Sequence, residues 1–157
     1  MVNTFHPLFV HFPIALLVTA GFVALIDLIN SKLQLKKVVL WNLIFAALGS
    51  IITVASGFRD GDVIPHNQTI HDIMEVHEHI GVTVLIISTL LTIWFILRYT
   101  RITKSENILF VLILWIALGL ASYNGFLGGK MVFDNGAGIK PMQKTFLLEN
   151  HDHDFED

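Results

Sequence analysis

Histidine is the residue type through which this chain could do chemistry, because eight histidines occur and cysteine is absent. His77 lies in an apolar stripe with Ile70, Ile73, Met74 and Gly81, spaced as on one face of a helix. The stripe predicts that the His77 imidazole points into the protein. An imidazole in that position either hydrogen-bonds a backbone carbonyl or binds a metal through a ring nitrogen.

The first apolar segment contains a second candidate, His11. Pro7 suits the first turn of a helix, where its missing N–H is not needed, so His6 is placed at the start of that helix. His11 follows about 6 Å deeper. Pro13 loosens the turn, because it cannot donate a hydrogen bond to the carbonyl of Phe9. An ionisable side chain inside an apolar segment indicates a functional site, and we expect His11 to face inward.

Two imidazoles from different helices are the iron ligands of a six-coordinate b-type haem. We therefore predict haem b bound by His11 and His77, with His6 and His79 as second choices on the same two segments. A helix bundle is a common place for such a cofactor. The absence of cysteine excludes a covalently attached c-type haem, an iron–sulfur cluster and a zinc–thiolate centre.

Further residues are candidates for the surroundings of this haem. The ring nitrogen opposite the iron requires an acceptor, for which Asn124 or a freed backbone carbonyl is available. Gly125 belongs to a glycine-rich stretch that leaves space either for a flat macrocycle or for close helix packing. Arg59 is placed to pair with haem propionates, or instead with the neighbouring Asp60 or Asp62.

Four apolar segments must position these residues, and each is long enough to cross a bilayer as a helix. They cover about residues 7–29, 38–58, 80–97 and 108–127. Each has roughly 18–23 residues, which spans about 30 Å of hydrocarbon. Charged residues make up only 15% of the chain, against about 25% in soluble domains. The sequence predicts an all-α polytopic membrane protein, a bundle of four transmembrane helices.

Positive charges predict the orientation of the bundle. The loop at 30–37 contains three lysines, and the loop at 98–106 contains two arginines and a lysine. Short loops rich in Lys and Arg stay in the cytoplasm. We therefore expect both termini and all eight histidines on the periplasmic side of a bacterial inner membrane. The bundle is predicted to occupy residues 1–129, and residues 130–157 to form a periplasmic tail.

The opening HPLFVHFPIALL at 6–17 resembles a family of small bacterial four-helix membrane proteins of unknown function. Other elements of that family are matched by Gly57-Phe-Arg-Asp60, His77 and the Gly128-Gly129 pair, so the resemblance covers about residues 5–138. It implies the four-helix fold. The family also looks similar to b-type four-helix cytochromes, and its domain sometimes occurs together with c-type cytochrome domains. Both features of the resemblance imply electron transfer. The chain lacks a histidine near the predicted cytoplasmic ends, so a second haem is not expected.

Three functions remain open from the sequence. The first is a haem-b electron-transfer or redox subunit that reacts with quinol or periplasmic cytochromes. The second is a periplasm-facing copper or other metal site, although copper proteins usually add thiols or clustered methionines. The third is a structural or assembly subunit without a cofactor. A net charge of −3 gives no indication of nucleic-acid binding, and no motif predicts a particular enzymatic reaction.

Overall fold

The computed structural model describes residues 5–139 of the chain. Within that range four long helices follow one another, namely α1 (His6–Ile29), α2 (Lys36–Val63), α3 (Gln68–Arg98) and α4 (Lys104–Phe133). A short 3-10 turn, Ser31–Leu33, lies between α1 and α2. All four helices are long and apolar enough to cross a membrane. The predicted all-α bundle of four transmembrane helices is confirmed.

The four helices form a ring in which each packs against its two neighbours, with α4 returning to α1. Within the described residues, the backbones of the diagonal helices α1 and α3 do not approach each other closely, and the same holds for α2 and α4. Fully buried side chains such as Leu43, Phe110 and Leu114 fill the centre. Large apolar side chains also cover the outside. A continuous apolar exterior suits lipid rather than water.

The helices extend beyond the apolar segments from which they were predicted. α3 begins at Gln68, where the Asn67 side chain accepts the backbone N–H of Ile70 as an N-cap. α4 continues to Phe133, so the predicted boundary between residues 129 and 130 falls inside a helix. Residues 140–157, which make up most of the predicted tail, lie outside the described residues.

Two carboxylates fix the connections at the lysine- and arginine-rich end of the bundle. The buried Asp27, near the end of α1, accepts the N–H of Leu35 at 2.8 Å, just before α2. Glu106 forms a capping box with Thr103 at the start of α4 and an ion pair with Arg98 at 2.7 Å. These contacts join α1 to α2 and α3 to α4 as two helical hairpins.

Candidate functional site

Two imidazole rings meet at the end of the bundle opposite these short connections. The ring centroids of His6 and His77 are 5.9 Å apart, and the ring planes are nearly perpendicular at 84°. His6 begins α1, and His77 lies in the third turn of α3. Because α1 and α3 are diagonal, the two half-buried rings face each other across the centre of the bundle.

Each imidazole is anchored by a backbone carbonyl of the following helix. His6 Nδ1 lies 2.9 Å from the carbonyl oxygen of Thr53 on α2. His77 Nδ1 lies 3.0 Å from the carbonyl oxygen of Asn124 on α4. A carbonyl only accepts, so each Nδ1 donates its proton, and the neutral ring keeps a lone pair on Nε2. Metal-binding histidines are oriented in the same way.

A glycine one turn after each carbonyl makes room for the ring. Gly57 follows Thr53 by four residues, and Gly128 follows Asn124 by four residues. A Cβ at position 57 would lie 3.2 Å from His6 Nδ1, and one at position 128 would lie 3.4 Å from the His77 ring. In a helix the side chain covers the preceding turn. Glycine therefore leaves each carbonyl open to the imidazole.

The two histidine units repeat at a fixed interval along the chain. In both, the carbonyl lies 47 residues after the histidine, and the second unit follows the first by 71 residues (6 to 77, 53 to 124, 57 to 128). The same interval relates the buried positions Pro13, Leu17, Ala20, Gly21 and Ala24 of α1 to Val84, Ser88, Leu91, Thr92 and Phe95 of α3. None of these five pairs is identical, but on α2 and α4 the interval pairs identical buried residues, Leu43 with Leu114 and Ala46 with Ala117. The two hairpins are therefore equivalent halves of the bundle.

The paired rings line a cleft to which all four helices contribute. The volume of the cleft is about 80 Å³. Its walls are mainly apolar. Asn124 and Gly125 form part of the α4 wall. Within the described residues, the buried Oδ1 of Asn124 has no hydrogen-bond partner, and a Cβ at Gly125 would meet nothing within 4 Å. A buried polar atom without a partner is available to a ligand that enters the cleft.

The structure changes the partner that the sequence predicts for His77. His11 is exposed on the outside of α1, so the prediction that it faces inward is wrong. His6, the second choice, lies in the cleft instead. The buried face of α1 includes Pro13 and Leu17, and His6 extends that face. His11 lies five residues after His6, about 140° further around the helix.

The other predicted residues differ in their relation to the cleft. His79 is exposed, and its Nδ1 bonds a carbonyl of its own helix at 2.7 Å. Arg59 pairs with Asp60 at 3.2 Å and lies over the ring of Phe5, 4.8 Å from its centroid. The structure thus shows the alternative pairing that the sequence left open for Arg59. Asn124 contributes the predicted acceptor through its backbone carbonyl.

Sequence reasoning missed Thr53 and underestimated Asp60. Thr53 bonds the His6 ring through its carbonyl, which residue type does not indicate, and its hydroxyl donates to the carbonyl of Phe9 at 3.2 Å. The sequence names Asp60 as an alternative partner of Arg59 and as part of the family element at 57–60, but predicts no contact with His6. In the structure its Oδ2 accepts the backbone N–H groups of Phe5 and His6 at 2.7 and 2.8 Å. Asp60 therefore touches the candidate site through the backbone of α1.

A site for a bare metal ion is not evident. Within residues 5–139, no group of three or more histidine, aspartate or glutamate side chains is arranged to hold a metal ion. Among the described residues, the metal-binding side chains that line the cleft are the two imidazoles, one from each half of the bundle, and the carboxylate of Glu78 next to His77.

The family model of predicted membrane proteins named DUF2231 matches residues 2–141, which include all four helices and both histidine units. The chain belongs to the DUF2231 family. The resemblance to a family of small membrane proteins of unknown function is thereby confirmed. No curated protein and no solved structure matches this DUF2231 chain. Family and fold together establish a multi-pass membrane protein.

Proposed function

We propose that this protein binds one haem b between His6 and His77 and acts as an electron-transfer subunit in the membrane. The observation that carries the proposal is the pair of imidazoles, each anchored at Nδ1, with ring centroids 5.9 Å apart. Two imidazoles that bind one metal, with metal–nitrogen distances of about 2.0 Å, have centroids no more than about 6 Å apart. His6 and His77 are close enough to hold one metal between them.

The number of ligands favours haem over a bare metal ion. Haem iron already has four nitrogen ligands from the macrocycle, so two imidazoles complete its coordination. Zinc sites draw three or four ligands from the protein, and the trigonal and square-planar copper sites need as many. The part of the chain that the structure describes offers no cluster of three such side chains. The copper alternative is therefore the weaker one.

The lining of the cleft, rather than its volume, supports a bound group. The cleft of about 80 Å³ holds only a few water-sized molecules, against about 300–1,000 Å³ in typical ligand sites, so a haem would have to separate the walls of the cleft. A Cβ at Gly125 would meet nothing within 4 Å, and the buried Oδ1 of Asn124 has no hydrogen-bond partner among the described residues. Asn124 and Gly125 would therefore adjoin the bound group.

A bound haem supplies one-electron redox chemistry, and the chain's own residues hold and tune it. The carbonyls of Thr53 and Asn124 draw on the Nδ1 protons, which makes each Nε2 a stronger donor. The mainly apolar walls limit the access of water. Because the site lies at one end of the bundle, membrane quinol or periplasmic cytochromes are suitable redox partners.

We place the haem end of the bundle on the periplasmic side of a bacterial inner membrane. The lysine- and arginine-rich connections lie at the opposite end, which supports this orientation. A reporter active only in the cytoplasm should work when inserted at Lys36 and stay silent when fused after Asp157. A reporter active only in the periplasm is the control and should give the opposite pattern. Reversed results for both reporters would place the cleft at the cytoplasmic face.

The direct test is the visible spectrum of the full-length protein purified in detergent from haem-replete cells. We expect about one haem b per chain and the reduced-minus-oxidised spectrum of a low-spin iron with two imidazole ligands. A colourless protein that also takes up no added haem would overturn the proposal. The structural or assembly role would then become the better interpretation of the packed rings.

A further inference from the structure

A carboxylate from α2 holds the beginning of α1. Asp60 is only 3% exposed, and its Oδ2 accepts the backbone N–H groups of Phe5 and His6 at 2.7 and 2.8 Å. The first N–H groups of a helix have no partner inside the helix, and negative charge is favourable there. Phe5 is the N-cap residue and makes no side-chain cap bond. Asp60 therefore does from another helix what an N-cap side chain does locally.

Three positions on one face of α2 together determine where His6 lies. Thr53 bonds its ring, Gly57 gives the ring space, and Asp60 bonds its backbone N–H. These positions are spaced i, i+4 and i+7, which places them on the same side of a helix. Because His6 is the first residue of α1, it has no preceding turn of helix to hold it. Its position depends on contacts with α2.

His77 differs from His6 in this respect. Nine residues of α3 precede it, and that helix is capped by its own neighbour Asn67. The position 71 residues after Asp60 is Met131, whose thioether is only a weak hydrogen-bond acceptor. The two halves therefore differ at the carboxylate. It is present in the half whose histidine lies at the beginning of a helix and is replaced by a methionine in the other half.

We propose that Asp60 is the positioning residue for His6: it holds the first turn of α1 so that the imidazole stays in the cleft, and its loss releases His6 but not His77. The part of this inference that concerns iron ligation rests on the proposed function. The release of His6 itself can be measured without haem.

The first experiment uses the haem-free, full-length protein in detergent. Each histidine is modified with diethyl pyrocarbonate, and the rates are read by mass spectrometry. In Asp60→Ala the modification rate of His6 should rise about tenfold or more, the effect expected from losing hydrogen bonds to a buried charge, while the rate of His77 stays unchanged. Asp62→Ala is the matched control, because it removes an exposed carboxylate from the same end of α2. It should change neither rate.

The isosteric Asp60→Asn keeps the packing and removes the charge, so it should give a smaller rise at His6 alone. An unchanged His6 rate in Asp60→Ala would show that the carboxylate is not needed to hold the ring. A joint rise at His6 and His77 would show general loosening of the bundle. Either result would overturn the proposed positioning role.

The second experiment uses the haem-loaded protein. Asp60→Ala should convert the low-spin spectrum to that of a five-coordinate, high-spin haem held by His77, and added imidazole should restore the low-spin form. An unchanged low-spin spectrum, or a variant that imidazole does not restore, would contradict the release of His6 alone. If the wild-type protein binds no haem, the proposed function fails, and the modification rates still decide the role of Asp60.

Discussion

We expect His6→Ala and His77→Ala each to lose the low-spin haem spectrum. Each substitution removes one of the two imidazoles that meet across the bundle, and an iron with one remaining imidazole becomes five-coordinate and high-spin. Changes that only disturb the support of a metal ligand cost about 10–100-fold in affinity. Loss of the ligand itself should cost at least that much. Haem titration and the reduced-minus-oxidised spectrum measure both effects.

His11→Ala is the matched control on α1, because it removes the same side chain from an exposed position. His79→Ala has the same purpose on α3. Both variants should keep the wild-type spectrum and haem affinity. If His11→Ala lost the spectrum while His6→Ala kept it, the sequence-based choice of ligand would be right and the assignment from the cleft would be wrong.

We expect Gly57→Val to weaken haem binding strongly without removing a ligand. A Cβ at this position would lie 3.2 and 3.3 Å from two atoms of the His6 ring, and the valine methyl groups would push the ring from the carbonyl of Thr53. Overpacking of this kind costs about 1–3 kcal/mol. The Kd for haem should therefore rise about fivefold to 150-fold, as measured by haem titration.

Gly119→Val is the matched control, since it makes the same change in a transmembrane helix where a Cβ would meet nothing within 4 Å. It should leave the Kd for haem unchanged. Equal affinities in both variants and the wild type would show that His6 does not need the space that Gly57 provides. The His6–Thr53 contact would then no longer support His6 as a haem ligand.

The sequence by itself determined the class of protein and the number of helices. Length and apolar composition are properties of each segment alone, so four stretches long enough for a bilayer could be recognised without any tertiary contact. The inward orientation of His77 was also predictable. The start of α3 is amphipathic, so the apolar stripe through Ile70 and His77 identifies one helical face. Both residues do face the bundle, Ile70 fully buried and His77 lining the cleft.

The same reasoning failed for His11, because α1 is apolar on nearly all sides. A helix that contacts protein on one side and lipid on the other is apolar on both sides. The periodicity of its apolar residues therefore no longer indicates which side faces the protein. Phe12 and Phe22 are exposed while Leu17 is buried, and residue type gives no sign of the difference. Packing against α2 and α4 decides which side of α1 faces the cleft.

Only the tertiary structure paired His6 with His77 and supplied their supports. The carbonyls of Thr53 and Asn124 belong to the backbone, which every residue has, so residue type does not indicate which carbonyl bonds an imidazole. Asp60 acts on a helix more than fifty residues away in the chain. The repeat of the two halves lies mainly in the pattern of buried positions, with few identical residues. These features depend on which helix faces lie together in space, and a single sequence does not record that.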